Sequence, residues 1–462
     1  MTAADPTPNP PSTPQAPTRP DDPGPGRTAA GRRASGLTGH RGQGLTGRDR
    51  IPDVTGGDRG SVAPRGGRGS ELTAGGRGPD VTGGRQGQGL AGERPGLGPT
   101  GGGFGWAGDV LAVVLNRVAV TRDGVGERFP LFADPATGRW TTTARGSWTG
   151  GFWAGLLWLR ARWTGSGEDR SAAAECTRRL APWADADTAT RGLILWYGTA
   201  LAAGDREAAA LLRRGARACL AAADPGLGLL PWGSALGGDR LQARADGVPG
   251  TVHLLAAAGP EGVRAAGDHL HRHLDLCLAG AGGSGGAYPA WRFTPGAGWQ
   301  PCAEPPPGWS RGRAWLLLAV ADALLHPAAS AWRPDRLRGA AEELLATSGV
   351  LDGPPVPPAD TAHPGGPYDT SAAAVNAVAL LKLAHTDTRR AEQLRRRAAG
   401  ILRHLADTHL SGRGGARPAG MLLDGCYDAR DGTAVRHELI WGDFFLALGL
   451  ATLTGLTGAA EA

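Results

Sequence analysis

From residue 153 onward, apolar residues recur at the spacing of one helix face, and short runs rich in Thr, Gly, Asp or Pro interrupt them. The stretches come in pairs, an apolar helix followed by an Arg-rich amphipathic one. The turns within pairs fall near residues 165, 204, 259, 327, 386 and 454. The pattern predicts helices at 153–163, 171–180, 193–201, 206–220, 252–258, 262–278, 314–325, 334–346, 372–384, 388–408 and 444–453.

Six pairs in succession predict an all-α protein that closes into a helical toroid. The apolar helix of each pair would then line the inside, and the Arg-rich helix would face solvent. Periodicity leaves an open helical solenoid as the alternative. The loops between pairs are longer than ordinary connections, and long ordered loops are usually functional, so we expect them to wall a cleft. These loops span 226–250, 281–310, 351–368 and 411–440.

The first part of the chain has a different composition. Residues 1–103 contain no Trp, Tyr or Cys, and Pro-Asp-Val-Thr-Gly-Gly occurs there twice, at 52–57 and 79–84. Such a segment cannot bury enough apolar surface to offset the entropy lost on ordering. We therefore predict a disordered Gly/Arg/Pro-rich tail over 1–103 and one domain over 104–458.

The charge distribution argues against a nucleic-acid partner. Residues 1–103 hold 13 Arg and 9 acidic residues, a contribution of +4 to the net charge of +6, which leaves +2 for the body. Because the body is nearly neutral, the basic pI is weak evidence for a nucleic-acid partner. The tail has almost no aromatic residues to stack on bases, although Arg-Gly-rich segments can bind RNA.

Location is predicted from what the sequence lacks. No run approaches the roughly 20 apolar residues of a membrane span, and no apolar leader follows the first residues. The 5 Cys are scattered without metal-ligand spacing, which favours reduced thiols in a cytoplasmic protein. We expect no membrane partner, and a monomer or a homodimer.

Tryptophan is abundant in predicted loops and at helix starts. Core packing explains any one of these residues, but together they suggest a cleft that stacks on sugar rings. Arg311 lies among them and is a candidate clamp for a carboxylate, with a structural Asp as the alternative partner. The tryptophans concerned are Trp148, Trp153, Trp232, Trp291, Trp299, Trp309 and Trp315.

His269 and His273 are four residues apart and share a helix face, but no third ligand for zinc lies nearby. We therefore predict a solvated helix face and no metal. Most loop carboxylates should serve as caps or Arg partners, and Asp369 precedes a helix start, as a cap does. Asp246 has no such role, because it lies between a Trp-containing loop and a helix. This position suits a general acid/base.

Four motifs occur in a set order between residues 148 and 445. The first begins at Trp148 as Trp-Thr-Gly-Gly-Phe-Trp, and the second begins at Trp309 as Trp-Ser-Arg-Gly-Arg-Ala-Trp. The third is Tyr-Asp-Thr-Ser-Ala from Tyr368, and the fourth is Gly-Cys-Tyr from Gly425 followed by Ile-Trp-Gly-Asp-Phe-Phe from Ile440. This series resembles the motifs of the unsaturated glucuronyl hydrolases, a family of glycoside hydrolases.

The resemblance implies an (α/α)6 barrel and a substrate class. Enzymes of the family remove a 4,5-unsaturated uronic acid from the non-reducing end of oligosaccharides. An Asp protonates the vinyl ether double bond and activates water, which adds to C5; the hemiketal formed then collapses and releases the sugar. This chemistry needs no metal and no other cofactor.

The family's catalytic Asp corresponds to Asp246. Its aligned substrate contacts correspond to Trp148, Trp232, Arg311 and Trp315, and to Gln300 if one residue is inserted in the loop. The resemblance thus implies that Arg311 lies near the substrate's carboxylate.

Three departures lie close to the implied chemistry. Ala189 and Thr190 stand where the family has a His-Asp pair that assists catalysis, Arg313 stands for a Gln, and Gly-Val-Pro-Gly-Thr follows Asp246 in place of an apolar run. These departures are compatible with three outcomes: the substrate is altered, Asp187 takes the role of the missing Asp, or the activity is lost. An active hydrolase is the leading hypothesis. The alternatives are a sugar-binding or scaffold protein and a helical-toroid enzyme of other chemistry.

Overall fold

Helices dominate the computed structural model, which describes residues 104–278, 287–412 and 414–462. The predicted tail over 1–103 lies outside the described residues, as does part of the predicted loop 281–310. The helices are α1 Gly105–Val125, α2 Gly150–Thr164, α3 Gly167–Arg178, α4 Tyr197–Thr199, α5 Arg206–Ala222, α6 Thr251–Ala256, α7 Pro260–Cys277, α8 Ser310–Leu325, α9 Pro334–Ser348, α10 Thr370–Thr386, α11 Ala391–His404 and α12 Ile440–Thr454.

The helices pack as the predicted pairs. α2 packs on α3, α4 on α5, α6 on α7, α8 on α9 and α10 on α11, while α12 pairs with the first helix, α1. One helix of each pair also contacts the next pair, in the order α2, α4 with its preceding π-helical turn Gly192–Trp196, α6, α8, α10 and α12. Since α12 also packs against α2, the succession returns to its start. This contact excludes the open solenoid.

Burial follows the predicted contrast between the two helices of a pair. α10 is buried along Thr370–Ala384, and α12 along Ile440–Ala451. A helix that is apolar on all sides is stable only when neighbours surround it. The Arg-rich helices α5, the partner of α4, and α11, the partner of α10, are instead buried on one face and expose Arg-rich faces. The core therefore lies among the apolar helices.

Two antiparallel sheets and helix α1 were not predicted, so the all-α description was incomplete. The sheets have the strand orders β2-β1-β7-β6 and β3-β4-β5. The strands are β1 Phe129–Ala133, β2 Trp140–Thr143, β3 Gln242–Arg244, β4 Ala290–Thr294, β5 Gly298–Pro301, β6 Gly425–Asp428 and β7 Thr433–Leu439. All lie in segments between helices, and most are too short for alternation to be recognised.

Candidate active site

Asp246 lies on a single 3-10 turn, Ala245–Gly247, between strand β3 and helix α6. Strand β3 pairs with β4, and the amide of Ala245 donates to the carbonyl of Pro289 at 2.8 Å. The backbone that carries Asp246 is therefore fixed by sheet hydrogen bonds on one side and leads to a helix start on the other. Its side chain is 17% exposed, so it is partly shielded but still open to a ligand.

The partner of Asp246 is Arg244. Its Nε donates to one carboxylate oxygen at 3.1 Å and its terminal Nη2 donates to the other at 3.1 Å. The two residues are two apart at the end of a strand, so their side chains leave on the same face. The guanidinium carbon also lies 4.3 Å from the ring centre of Trp232, which is cation–π distance. Asp246, Arg244 and Trp232 thus form one contact group.

Trp232 is 8% exposed and joins two segments of the site. Its indole Nε1 donates to the carbonyl of Gly237 at 3.2 Å. Its amide donates to the carbonyl of Gln242 at 3.0 Å, and its carbonyl accepts from the amide of Ala189 at 2.9 Å. The predicted substrate contact is therefore also a junction between the Asp246 segment and the segment that carries Asp187.

His269 lies beneath this group, buried on α7, and the prediction of a solvated helix face was wrong. Its Nδ1 accepts from the amide of Leu230 at 3.1 Å, so Nε2 carries the proton and donates to the carbonyl of Gly247 at 3.3 Å. Burial lowers its pKa well below the ordinary value. His273, also buried, bonds through Nδ1 to the carbonyl of His269. Neutral His269 therefore joins two of the loops around Asp246.

Asp187 is held by other partners. Its carboxylate accepts from the amide and hydroxyl of Ser234 at 3.1 and 3.0 Å and from Arg240 Nε at 3.0 Å. Partial burial raises the pKa of Asp187, but the bonds from Ser234 and Arg240 outweigh it, so the pKa is lowered overall. The side chain is 38% exposed. An ionised, accessible carboxylate fits a base or an electrostatic role better than an acid.

The positions of the family's His-Asp pair carry no acid here. Thr190 is 1% exposed, and its hydroxyl lies 2.9 Å from the hydroxyl of Thr188. Ala189 is also buried, and a Cβ added to Gly247 would lie 3.2 Å from its side chain. This segment packs directly against the turn of Asp246. Ala189 and Thr190 thus supply no acidic group beside Asp246.

A second group contains Trp148 and Arg311. The Trp148 indole Nε1 lies 3.3 Å from the hydroxyl of Tyr427, and its ring is 4.8 Å from that of Trp441. Arg311 lies 5.4 Å from the ring centre of the same Trp441 and donates to the carbonyl of Tyr427 at 3.0 Å. The structure thus brings these two predicted residues together.

Arg311 is bound to a structural carboxylate, which is the alternative that the sequence left open. Its side chain is 5% exposed and pairs with Asp369, which is fully buried. The same terminal nitrogen donates to the carbonyl of Cys426 at 2.6 Å. Asp369 also caps α10, since its carboxylate accepts from the amides of Ser371 and Ala372. The predicted cap is confirmed.

Trp315 and Gln300 occupy contrasting positions. Trp315 is 1% exposed, and its ring is stacked 6.2 Å from that of Phe152 in the core. Gln300 is exposed on β5, where it pairs with Arg292 of the sheet that leads to Asp246.

The turn of Asp246 contacts α8, whose first turn carries Arg311. Both groups therefore adjoin the same helix, α8.

Sequence reasoning missed Arg244 and a buried charge cluster. Arg244 precedes Asp246 by two residues, a spacing that identifies a partner only once the segment is known to be a strand. Arg117 of α1 donates to both oxygens of Glu438 at 2.9 and 2.6 Å, and Asp443 lies beside them. These residues are far apart in sequence, and no local signal joins them.

No group of three or more His, Cys, Asp or Glu in the described parts of the chain could hold a metal ion. The five cysteines are free thiols, and four of them are buried. In the same described parts, no helix is both long and apolar enough to cross a membrane.

Comparison with solved structures identifies the fold. An unsaturated glucuronyl hydrolase from Bacillus sp. GL1, described as responsible for glycosaminoglycan degradation, is 22% identical, with a TM-score of 0.66; the match covers 75% of this chain and 96% of that one. An unsaturated glucuronyl hydrolase described as specific for heparin is 20% identical, with a TM-score of 0.64; the match covers 76% of this chain and 99% of that one. The unsaturated glucuronyl hydrolase of Streptococcus agalactiae is 18% identical, with a TM-score of 0.64; the match covers 75% of this chain and 91% of that one.

No protein-family model matches the chain, and no curated protein does. One solved structure similar to the chain, a mutant of the S. agalactiae enzyme, is described as complexed with dGlcA-GalNAc6S. It is 18% identical and has a TM-score of 0.57. At such identities the match concerns architecture. The resemblance seen in four sequence motifs is thus confirmed at the level of structure, and the chain has the fold of the unsaturated glucuronyl hydrolases.

Proposed function

We propose that the protein is a hydrolase that removes a terminal 4,5-unsaturated uronic acid from oligosaccharides, with Asp246 as its acid/base. The observation that carries the proposal is the position of Asp246. Its partly shielded carboxylate lies beside Trp232 on a turn fixed by β3 and α6. The (α/α)6 barrel supplies the framework, because the apolar helices bury the core and leave this turn between helices.

The proposed reaction is an addition of water followed by collapse. The protonated carboxyl of Asp246 gives its proton to C4 of the double bond, and positive charge develops at C5. The resulting carboxylate takes a proton from a water molecule whose oxygen bonds to C5, so Asp246 returns to its acid form. The product is a hemiketal, and its collapse releases the remaining sugar. One carboxyl group serves both proton transfers.

Asp187 is the candidate for the second carboxylate. Its lowered pKa keeps it ionised at neutral pH, so it would stabilise positive charge or orient water rather than donate a proton. It lies on the segment whose Ala189 bonds to Trp232 and packs against the turn of Asp246. Its negative charge is shared with Arg240, which limits its effect on a substrate.

The exposure of the remaining predicted substrate contacts separates those that can reach a sugar from those that pack in the core. Exposed Gln300 and the partly buried Trp148 are proposed to contact the sugar. The core position of Trp315 favours a packing role. The free thiols fit a reducing compartment, so we also propose a cytoplasmic protein. The relatives named above are hydrolases, and nothing about them favours a purely sugar-binding protein.

The test follows the loss of the double-bond absorbance of unsaturated uronyl disaccharides. The wild type and Asp246→Asn are compared, with Asp360→Asn as a matched control, since Asp360 is a loop carboxylate bound to His363. We expect consumption by the wild type and by the control, and a loss of about a thousandfold or more in Asp246→Asn, as for removal of a proton-transfer group. Equal rates in wild type and Asp246→Asn would remove Asp246 from this role. No consumption of any such disaccharide by the wild type would contradict the hydrolase itself.

A further inference from the structure

We infer that Arg244 binds the substrate's carboxylate. In doing so it gives up its ion pair with Asp246 and forms one with the substrate. This inference rests on the proposed function, since it names the residue that recognises the uronic acid at that site. It differs from the expectation drawn from the family, in which Arg311 has this position.

Arg311 is poorly placed to bind a ligand. Its side chain is 5% exposed, and it is paired with fully buried Asp369. It also donates to the carbonyls of Cys426 and Tyr427. A substrate carboxylate could reach it only by displacing buried partners, which would leave Asp369 as an unpaired buried charge. Removing one partner of a buried pair costs about 3–5 kcal/mol, so this exchange is unfavourable.

Arg244 satisfies the geometric requirement. It already binds a carboxylate with two parallel hydrogen bonds, both 3.1 Å long, which is the geometry that a sugar carboxylate would use. Its side chain is 16% exposed, so solvent reaches it. The guanidinium also lies over the Trp232 ring at 4.3 Å. A sugar that approaches Asp246 beside Trp232 must therefore meet Arg244.

The exchange releases Asp246 from its cation, but the Asp246 side chain is 17% exposed and can be hydrated. It therefore leaves no fully buried charge unpaired, as displacement of Asp369 from Arg311 would. Loss of a nearby cation favours the protonated form of a carboxyl group, and this is the form in which Asp246 donates its proton. Binding the uronic acid would thereby prepare the acid that acts on it. A sugar without the carboxylate would leave Asp246 paired with Arg244.

Among the described residues, the titratable groups of α7 that face the Asp246 turn do not supply an alternative cation. His273 and Cys277 of α7 both interact electrostatically with Asp246. Burial lowers the pKa of His273 to about 4 and raises that of Cys277 to about 12, so both are neutral near pH 7. His269 bonds to the adjacent carbonyl of Gly247 and is also neutral. Arg244 is the charged partner among these groups.

The experiment compares an unsaturated glucuronyl disaccharide with its methyl ester, which lacks the negative charge. The variants are Arg244→Gln and Arg244→Lys. The control is Arg292→Gln, because Arg292 lies on β4 of the same sheet and is paired with exposed Asp239. Thermal melting of each variant reports its folding. kcat/KM is measured for both substrates in every variant.

We expect Arg244→Gln to lower kcat/KM for the acid by about tenfold to a hundredfold, the cost of a lost charge-assisted pair. The ester should change much less. Arg244→Lys should lie between, because it keeps the charge but loses the two-pronged geometry, and it decides the question if Arg244→Gln does not fold. Arg292→Gln should match the wild type. An equal loss for acid and ester would overturn the inference, since it would show that Arg244 only positions Asp246.

Calorimetry separates this inference from the proposed function. If the wild type turns over neither substrate but binds the acid at least tenfold more tightly than Arg244→Gln does, the hydrolase proposal fails and the role of Arg244 stands. If the wild type and Arg244→Gln bind the acid equally, the role of Arg244 is refuted even when turnover is seen. If the wild type neither binds nor turns over the acid, both proposals are refuted.

Discussion

Arg311 and Asp369 form an ion pair in which both side chains are almost completely buried. Arg311 is in the first turn of α8 and Asp369 is the N-cap of α10. One carboxylate oxygen accepts from the amides of the α10 start, while the other binds the guanidinium. A single side chain thus caps one apolar helix and joins it to its neighbour.

Asp369→Asn should be strongly destabilising. The amide oxygen can still cap α10, but Arg311 would remain buried without its counter-charge, so we expect the free energy of unfolding to fall by about 3–5 kcal/mol. Urea denaturation monitored by circular dichroism measures this change. The double variant Arg311→Met with Asp369→Asn should recover part of the loss, because the unpaired charge is then gone. A single variant within about 1 kcal/mol of the wild type would contradict this account of the pair.

Asp369 also shows which parts of the fold the sequence could predict. Its capping role follows from residues next to it, and the helix pairs follow from a periodicity that is equally local. The sequence could not decide whether Arg311 binds a ligand or a structural Asp, because Asp369 is 58 residues away in the sequence. Closure depended likewise on the packing of α12 against α2, a contact between distant segments. Strands of three to five residues left no periodic signal.

The candidate site was predictable to a similar degree. Asp246 could be identified because no helix start required it and a Trp-containing loop preceded it. The contact of Arg244 with Asp246 could not be predicted, since three residues are too few to show the alternation of a strand. His269 was misjudged because its face of α7 looked polar. The face is buried because two loop groups, the Leu230 amide and the Gly247 carbonyl, bind the ring.

Gly192→Ala should disturb the site through its framework. An added Cβ would lie 2.2 Å from both the amide nitrogen and the hydroxyl of Thr251. That hydroxyl donates to the carbonyl of Ala189 at 3.0 Å, so the segments on either side of the site would separate. We expect a loss of about 1–3 kcal/mol in unfolding free energy and a lower rate on the proposed substrate. Denaturation and turnover assays measure these effects.

Gly400→Ala is the matched control for that variant. It lies within α11, and an added Cβ would meet no atom within 4 Å. Alanine should therefore stabilise the protein by about 0.5–1 kcal/mol, through its better helix propensity. Equal effects of the two substitutions would show that the close approach at Gly192 is unimportant.

His273→Met should change how stability depends on pH. Burial lowers the pKa of His273 from 6.5 to about 4, so below pH 6.5 the unfolded chain binds a proton that the folded chain does not. The contribution to stability is complete above the unfolded pKa and is lost as pH falls. Between pH 7 and pH 5 this one group should cost the wild type about 2 kcal/mol.

Methionine does not titrate and has a similar volume, so it removes this dependence. At pH 7 the variant should lie within about 1.5 kcal/mol of the wild type, because the Nδ1 bond of His273 goes to a carbonyl of its own helix. At pH 5 the variant should have gained about 2 kcal/mol relative to the wild type. Urea denaturation at both pH values tests this, and an unchanged difference between them would contradict a neutral, buried His273.

Asp443 should produce a pH dependence of opposite sign. Burial, followed by the negative charge of Glu438, raises the pKa of Asp443 well above its ordinary value. Arg117 donates to both carboxylate oxygens of Glu438, so the cation favours ionisation of Glu438 and leaves Asp443 protonated. A raised carboxyl pKa gives stability that is complete at low pH and is lost as pH rises through the folded-state value.

Asp443→Asn imitates the protonated acid, because its amide can still donate to Glu438. Relative to the wild type, its melting temperature should therefore be nearly unchanged at pH 5 and should increase progressively toward pH 9. Glu438→Gln is the informative comparison, since it leaves Arg117 buried without a counter-charge and should cost about 3–5 kcal/mol. If Asp443→Asn were instead destabilising at pH 9 and neutral at pH 5, Asp443 would have to be the ionised partner. Arg117 would then balance the charge of Asp443 rather than that of Glu438.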